Sequence, residues 1–276
     1  EIVAFAQGLE REGFDFVTSY DHVLGFDPAG HPGFEGPFTH EARFHEILTL
    51  LAFLVGVAPA LAPVTSVVVL PQRQTALVAK QVAELDLLSE GRARLGAAIG
   101  WNPIDYAGLG VGFATRARRI EEQVELLRRL WTEPAITFAG EFDRIEAAGI
   151  NPLPLQRPVP IFLGGLSPVA VGRAARIADG FAYGGPIGDS WEDTIEFLRA
   201  RLREAGREPA FFGVEARIEV STATAPDAWR AEAHELARLG IGHIALDSAG
   251  VGLETEEAGF HLSRLAEAGE VVRREF

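Results

Sequence analysis

Short apolar strands alternate with helices along almost the whole chain, and no other feature of the sequence restricts the fold as strongly. Ile2, Val3, Phe5, Ala6 and Leu9 recur at helical spacing, and Gly13 closes that first helix. Strands are then expected at 14–19, 64–70, 93–99, 159–163, 180–183, 211–220 and 241–247. Helices are expected at 41–57, 74–89, 115–131, 168–178, 191–205, 226–239 and 256–274, with Leu77, Val78, Val82, Leu85 and Leu88 as the inner stripe of the second of these. A hairpin over 136–145 turns at Ala139-Gly140. Strands separated by helices run parallel, because a parallel neighbour is reached only through a long crossover. An eightfold barrel of such units takes about 250 residues. A doubly wound open sheet is the competing arrangement, but Gly108, Gly110 and Gly112 follow no strand directly and miss the dinucleotide-binding spacing. The expected fold is therefore α/β, a (β/α)8 barrel whose first strand lies upstream of Glu1. No repeat, linker or low-complexity segment divides it, so residues 1–276 are expected to form one domain.

Composition narrows the function. The 25 basic and 39 acidic side chains leave a formal charge of −14, which argues against a nucleic-acid surface. With no cysteine there is no disulfide framework, thiolate nucleophile or cysteine zinc site. The uncharged run 47–72 is long enough to span a bilayer, but Pro59 and Pro63 divide it into a buried helix and a β-branched strand. No basic-then-apolar leader begins the chain, so a soluble, cytoplasmic protein is expected. The absence of any methionine, initiator included, leads to the expectation that the sequence is not the complete gene product or that methionines have been lost from it.

A barrel of this kind places its chemistry at the carboxyl ends of its strands. Those ends read Tyr20-Asp21-His22, Pro71-Gln72-Arg73, Gly100-Trp101-Asn102, Gly164-Gly165-Leu166-Ser167, Gly184-Gly185-Pro186 and Asp247-Ser248-Ala249-Gly250. An imidazole at a strand tip can take or give a proton, so His22 is a candidate acid–base group with Asp21 as its neighbouring carboxylate; otherwise His22 is a surface loop residue. The turn from Gly164 through Ser167 to Pro168 either binds phosphate on helix N–H groups or is an ordinary capped turn. Arg73 is either a clamp on phosphate or carboxylate or a solvated loop residue. Trp101 either packs on a planar ring or plugs the rim. No Gly-x-Ser-x-Gly elbow or Walker loop occurs. His40-Glu41 and His45-Glu46 miss the zinc pattern, because Thr49 stands where a second histidine is required. They read as helix-surface residues, no metal is expected, and the Arg- and Glu-rich helix 115–131 reads as a solvated face.

These residues resemble the luciferase-like monooxygenase superfamily, in particular its coenzyme F420-dependent oxidoreductases. The similar stretches are Gly13-Phe14-Asp15-Phe16 through Asp21-His22, and Thr65-Ser66-Val67-Val68-Val69-Leu70-Pro71. Ala79-Lys80-Gln81, Leu85 through Gly91-Arg92, Leu95-Gly96 to Gly100-Trp101-Asn102, and Gly164 through Pro168 to Ala178-Asp179-Gly180 continue them in order. The resemblance implies a (β/α)8 TIM barrel with insertion segments, a homodimer and a small-molecule substrate. It implies a non-proline cis peptide at Ser66–Val67 behind an isoalloxazine-like ring, cofactor contacts from Asp21, Ser66, Val67, Gly100, Trp101 and Asn102, and a cofactor-phosphate turn at Gly164, Gly165, Leu166 and Ser167. His22 matches the proton donor or acceptor, and Asp21 a residue near the deazaflavin. Trp101 replaces the glutamate found in F420-dependent sugar-phosphate dehydrogenases, which points to a more apolar pocket. The implied activity is hydride transfer between coenzyme F420 and an organic substrate. The alternatives are an FMN-dependent monooxygenase served by a separate flavin reductase, and a flavin-binding barrel without catalysis.

Overall fold

The structure, a computed structural model, describes residues 1–221, 224–248 and 258–276. Its regular elements, in chain order, are α1 (Ile2–Arg11), β1 (Phe16–Ser19), α2 (Ile47–Val57), β2 (Ala62–Thr65), β3 (Val68–Val69), α3 (Thr75–Leu88), β4 (Leu95–Ala98), α4 (Pro103–Gly108) and α5 (Arg116–Thr132). They continue with β5 (Ile136–Ala139), β6 (Arg144–Ala148), β7 (Ile161–Gly164), α6 (Pro168–Ile177), β8 (Gly180–Tyr183), α7 (Trp191–Glu204), β9 (Gly213–Glu219), α8 (Pro226–Arg238), β10 (His243–Asp247) and α9 (Ala258–Arg273). The expected Ala249-Gly250 tip and the start of the last helix at 256–257 lie outside the described residues. Among the described residues no helix is long and apolar enough to cross a membrane.

One compact unit comprises Glu1–Val17, Gly56–Leu61 and Phe162–Phe276. Within it β7, β8, β9 and β10 lie side by side in chain order and parallel, Phe162 opposite Gly180, Gly180 opposite Gly213 and Glu215 opposite His243. Each strand is followed by a helix, the connection that parallel pairing demands. Val171, Ala174, Trp191, Leu198, Trp229 and Leu236 of those helices are buried. Ser190 Oγ accepts from Asp193 N at 3.1 Å and so caps α7 in the order its sequence suggests.

The second unit comprises Thr18–Val55 and Ala62–Ile161. Val68 and Val69 pair in parallel with Ala97 and Ala98, and Val64 bridges to Arg94 in the same sense. Val78, Val82, Ile120, Val124, Leu127 and Trp131 form the buried helix layer, where Trp131 Nε1 donates to Ala79 O at 3.0 Å. β5 and β6 pair antiparallel and turn at Gly140, whose N–H donates to Asp143 O at 2.9 Å.

Four local expectations are corrected here. The helix expected at 41–57 begins at Ile47, because Glu46 Oε2 accepts from Thr49 N at 2.7 Å and caps it; His40, Glu41, His45 and Glu46 therefore precede the helix instead of lying on its surface. The strand expected at 64–70 is two strands, interrupted at Ser66–Val67 and ended by a 3-10 turn over Leu70–Gln72. On α3 Leu77 and Leu88 face solvent, while Ala79, Ala83 and Asp86 are buried. The small alanines admit the neighbouring helix, and Asp86 is buried because its carboxylate is saturated. It accepts from Leu155 N at 2.8 Å, Gln156 N at 2.9 Å and Gln156 Nε2 at 2.6 Å. Finally, the outer face of α5 is not wholly solvated, since Glu122 accepts the N–H groups of Glu141, Phe142 and Asp143 at 2.6, 3.0 and 2.7 Å and holds the hairpin.

Replacing Asp86 by alanine strands two backbone donors, each worth about 1–3 kcal/mol when left unpaired. Asp86→Ala is therefore expected to lower stability by about 2–6 kcal/mol. A urea or guanidinium midpoint unchanged from wild type would contradict this role.

Candidate functional site

The site in the second unit is assembled from three segments, the chain leaving β1, the turn after β3 and the start of α4. The backbones of β2–β3 and β4 approach closely. A Cβ on Gly96 would lie 2.0 Å from Thr65 O, and one on Gly100, whose φ is +64°, would lie 2.6 Å from Val69 Cγ1. Thr65 Oγ1 donates to Gly96 O at 2.7 Å across the same gap. Ser66 N donates to Ser19 O at 3.2 Å, and the Ser66–Val67 peptide is cis, as the family resemblance implies.

Asp21 is 5% exposed, and its carboxylate is given to the scaffold. Oδ2 accepts from Val69 N at 2.9 Å, and Arg73 closes a fork with Nη2 on Oδ1 at 2.7 Å and Nε on Oδ2 at 3.3 Å. Arg73 Nη1 reaches Glu46 Oε1 at 2.9 Å. Burial works against the Arg73 charge, but Asp21 and Glu46 outweigh it and raise its pKa. Burial likewise raises Glu46, and the Thr49 hydrogen bonds with the Arg73 charge reverse that to a lowered value. Arg73 is thus a clamp on carboxylates, and the carboxylates are the protein's own.

The reading that Asp21 tunes His22 is corrected by this arrangement, because the carboxylate beside the imidazole is Asp105. His22 Nδ1 lies 3.3 Å from Asp105 Oδ2, and no further hydrogen bond of the imidazole occurs among the described residues. Three aromatic rings surround it, with Phe38 and Phe44 centred 4.8 Å away and Trp101 6.0 Å away edge-on. Trp101 in turn stacks on Phe34, 3° from coplanar, and Phe34 meets Phe26 edge-on at 4.9 Å. Burial raises the Asp105 carboxyl, against the pull of His22. Asp105 sits on the first turn of α4, whose start is fixed by Asn102 Oδ1 accepting from Ile104 N at 2.9 Å. The next residue, Tyr106, donates its phenol to Ile99 O at 2.6 Å, and burial pushes its pKa well up.

Asp21, His22, Ser66, Val67, Gly100, Trp101 and Asn102 all fall within this unit. Gly164, Gly165, Leu166 and Ser167 belong to the other, where Ser167 Oγ accepts from Ala170 N at 3.3 Å and Leu166 stands exposed at the turn. Sequence reasoning missed Asp105, which is 83 positions from its partner. It also missed the ring cluster of Phe26, Phe34, Phe38 and Phe44, whose only signal is four phenylalanines in a Gly- and Pro-rich loop. Among the described residues no group of three His, Asp or Glu side chains is placed to hold a metal ion.

The Asp21–Arg73 pair is the interior half of the network and Glu46 the exposed half, with side-chain exposures of 2%, 15% and 42% for Asp21, Arg73 and Glu46. Arg73→Ala leaves a buried carboxylate unpaired and is expected to cost about 3–5 kcal/mol, whereas Glu46→Gln costs about 0–1 kcal/mol. Because Glu46 is lowered in the folded chain, its stabilisation is present above the ordinary glutamate value of 4.5 and is lost as pH falls through the depressed one. Glu46→Gln should accordingly flatten the stability profile below that pH. Equal denaturant midpoints for the two variants would refute the division.

A profile of the luciferase-like monooxygenase family matches residues 1–272. An uncharacterised protein of Mycobacterium tuberculosis H37Rv is 39% identical over 218 residues, covering 76% of this chain and 74% of that protein. An FMNH2-dependent dimethylsulfone monooxygenase of Pseudomonas putida is 28% identical over 205 residues, 73% of this chain and 53% of its own length. An F420-dependent glucose-6-phosphate dehydrogenase of Segniliparus rotundus is 28% identical over 241 residues, 84% of this chain and 67% of its own. The fold is shared with an F420-dependent secondary alcohol dehydrogenase solved with an F420-acetone adduct, at a TM-score of 0.76, 17% identity, and coverage of 98% of this chain and 94% of that one. The chain, matched by one family profile over nearly its full length, belongs to the luciferase-like monooxygenase family and is an enzyme of that class.

Proposed function

We propose that this enzyme transfers a hydride between coenzyme F420 and an organic substrate, with His22 carrying the accompanying proton. One observation carries the reading: a half-buried imidazole, walled by Phe38, Phe44 and Trp101, uses one nitrogen on Asp105 and leaves the other without a hydrogen bond among the described residues. A solvated loop histidine would have no such enclosure.

The residues fit a deazaflavin or flavin ring. Asn102 is 2% exposed, and its Nδ2 donor has no hydrogen-bond partner among the described residues. A buried donor of this kind suits a ring carbonyl, which both cofactors offer. Ser66, Val67, Gly100, Trp101 and Asn102 would hold the ring, with Asp21 bracing the backbone beside it. F420 when bound supplies a ring carbon that exchanges hydride and does not activate oxygen. The protein's part is to orient and to move one proton. In oxidation the substrate gives up two hydrogens, one leaving with its electron pair as hydride and the other passing as a proton to His22 Nε2; in reduction His22 returns that proton. The aromatic walls favour an apolar substrate.

The similarity to an FMNH2-dependent monooxygenase favours a second reading, FMN-dependent oxygenation fed by a separate reductase. The family resemblance also supports a homodimer and one barrel domain over residues 1–276.

Titration of the purified chain with oxidised F420 and with FMN is expected to give binding of F420. Tight FMN binding without affinity for F420 would overturn the proposal in favour of the second reading. With bound reduced F420 and a panel of uncharged ketones as acceptors, His22→Ala should slow single-turnover oxidation by about 10²–10⁴-fold. Wild-type speed in that variant would remove His22 from the chemistry.

A further inference from the structure

Two carboxylates lie near His22 along the chain or in space, and the structure divides their labour. Asp21 is adjacent in sequence but is consumed by Val69 N and the Arg73 fork. Asp105 is remote in sequence and touches Nδ1 of the imidazole. Its Oδ2 faces the ring at 3.3 Å with a side chain 1% exposed, and its Oδ1 has no hydrogen-bond partner among the described residues. An ionised carboxylate can only accept, so the nitrogen it meets must carry the hydrogen. We propose that Asp105 is the positioning residue of the site, holding neutral His22 as its Nδ1–H tautomer so that Nε2 presents a lone pair to the substrate. The inference rests on the proton-transfer role given to His22 above.

The mount is rigid at both ends. Asn102 fixes the first turn of α4, and Tyr106, next to Asp105, is tied to Ile99 O. Phe38 and Phe44 limit rotation of the imidazole on the other side. The 3.3 Å separation is long for a hydrogen bond, a length common in catalytic pairs without substrate. A free imidazole in water has no such partner to select its tautomer. The pair therefore supplies what the aromatic walls cannot, a fixed address for the proton.

The test uses the full chain without cofactor, labelled with ¹⁵N-histidine. The two ring nitrogens of His22 are identified by the signals lost in His22→Gln. Long-range nitrogen–proton spectra of the wild type are expected to show hydrogen on Nδ1 and a bare Nε2 in the neutral ring. In Asp105→Asn the carboxamide can donate to Nδ1, and the ring hydrogen is expected to move to Nε2. Asp105→Glu, which retains a carboxylate, is expected to restore the Nδ1–H form. Hydrogen on Nε2 in the wild type overturns the proposal without any variant, and so does a folded Asp105→Asn chain whose tautomer is unchanged. Single-turnover hydride transfer in Asp105→Asn is expected to fall by about 10²-fold or more, with F420 affinity unchanged. A tautomer that moves as expected in a chain that does not bind F420 supports the Asp105 role and refutes the choice of cofactor, so the two failures are separable.

Discussion

Asp21 is withdrawn from water and handed to Arg73, and the chain ends leaving β1 and β3 are held together as a consequence. A buried carboxylate is tolerable only when its charge and its lone pairs are answered. The Arg73 fork answers the charge and Val69 N takes a remaining lone pair. The same guanidinium extends to Glu46 at the start of α2, so one side chain coordinates three segments. Gln123 supports the turn from behind, its Nε2 donating to Leu70 O and Arg73 O at 3.2 Å. His22 follows Asp21 directly and inherits this placement. Its position is a product of its neighbour's burial.

The local charge also bears on what the site can accept. Asp21, Glu46 and Asp105 are set against Arg73, which both of its carboxylate partners engage. An uncharged molecule would meet phenylalanine and tryptophan faces, where apolar contact is gained at little electrostatic cost. Trp101 stacks on Phe34 and is thereby tied to the loop carrying the rings.

Legibility followed the range of the interactions. Helices and parallel strands were readable because periodicity is local: α6, α7 and β8 lie within a residue or so of where spacing and caps place them. The strand-tip triplet Tyr20-Asp21-His22 was readable by its place in that alternation. The partners of those residues were not. Nothing local shows that the chain at Leu155–Gln156 returns to Asp86, and Leu77 and Leu88 look like core until the alanines between them prove to be the packed face. Asp21 and Asp105 exchange roles for the same reason, since adjacency along a strand end says nothing of which carboxylate an imidazole meets across the fold. Glu46 was hidden by an apolar helix that begins one residue later than its own position.

In the proposed arrangement an enclosed imidazole faces a hydride carrier resting on the backbone at Ser66–Val67. A crystal structure of the chain soaked with oxidised F420 tests it most directly. Deazaflavin density is expected against residues 66–67, with the Asn102 amide on a ring carbonyl and His22 Nε2 open toward the carbon that exchanges hydride. Density for the ring elsewhere, with His22 Nε2 turned away from it, would contradict it.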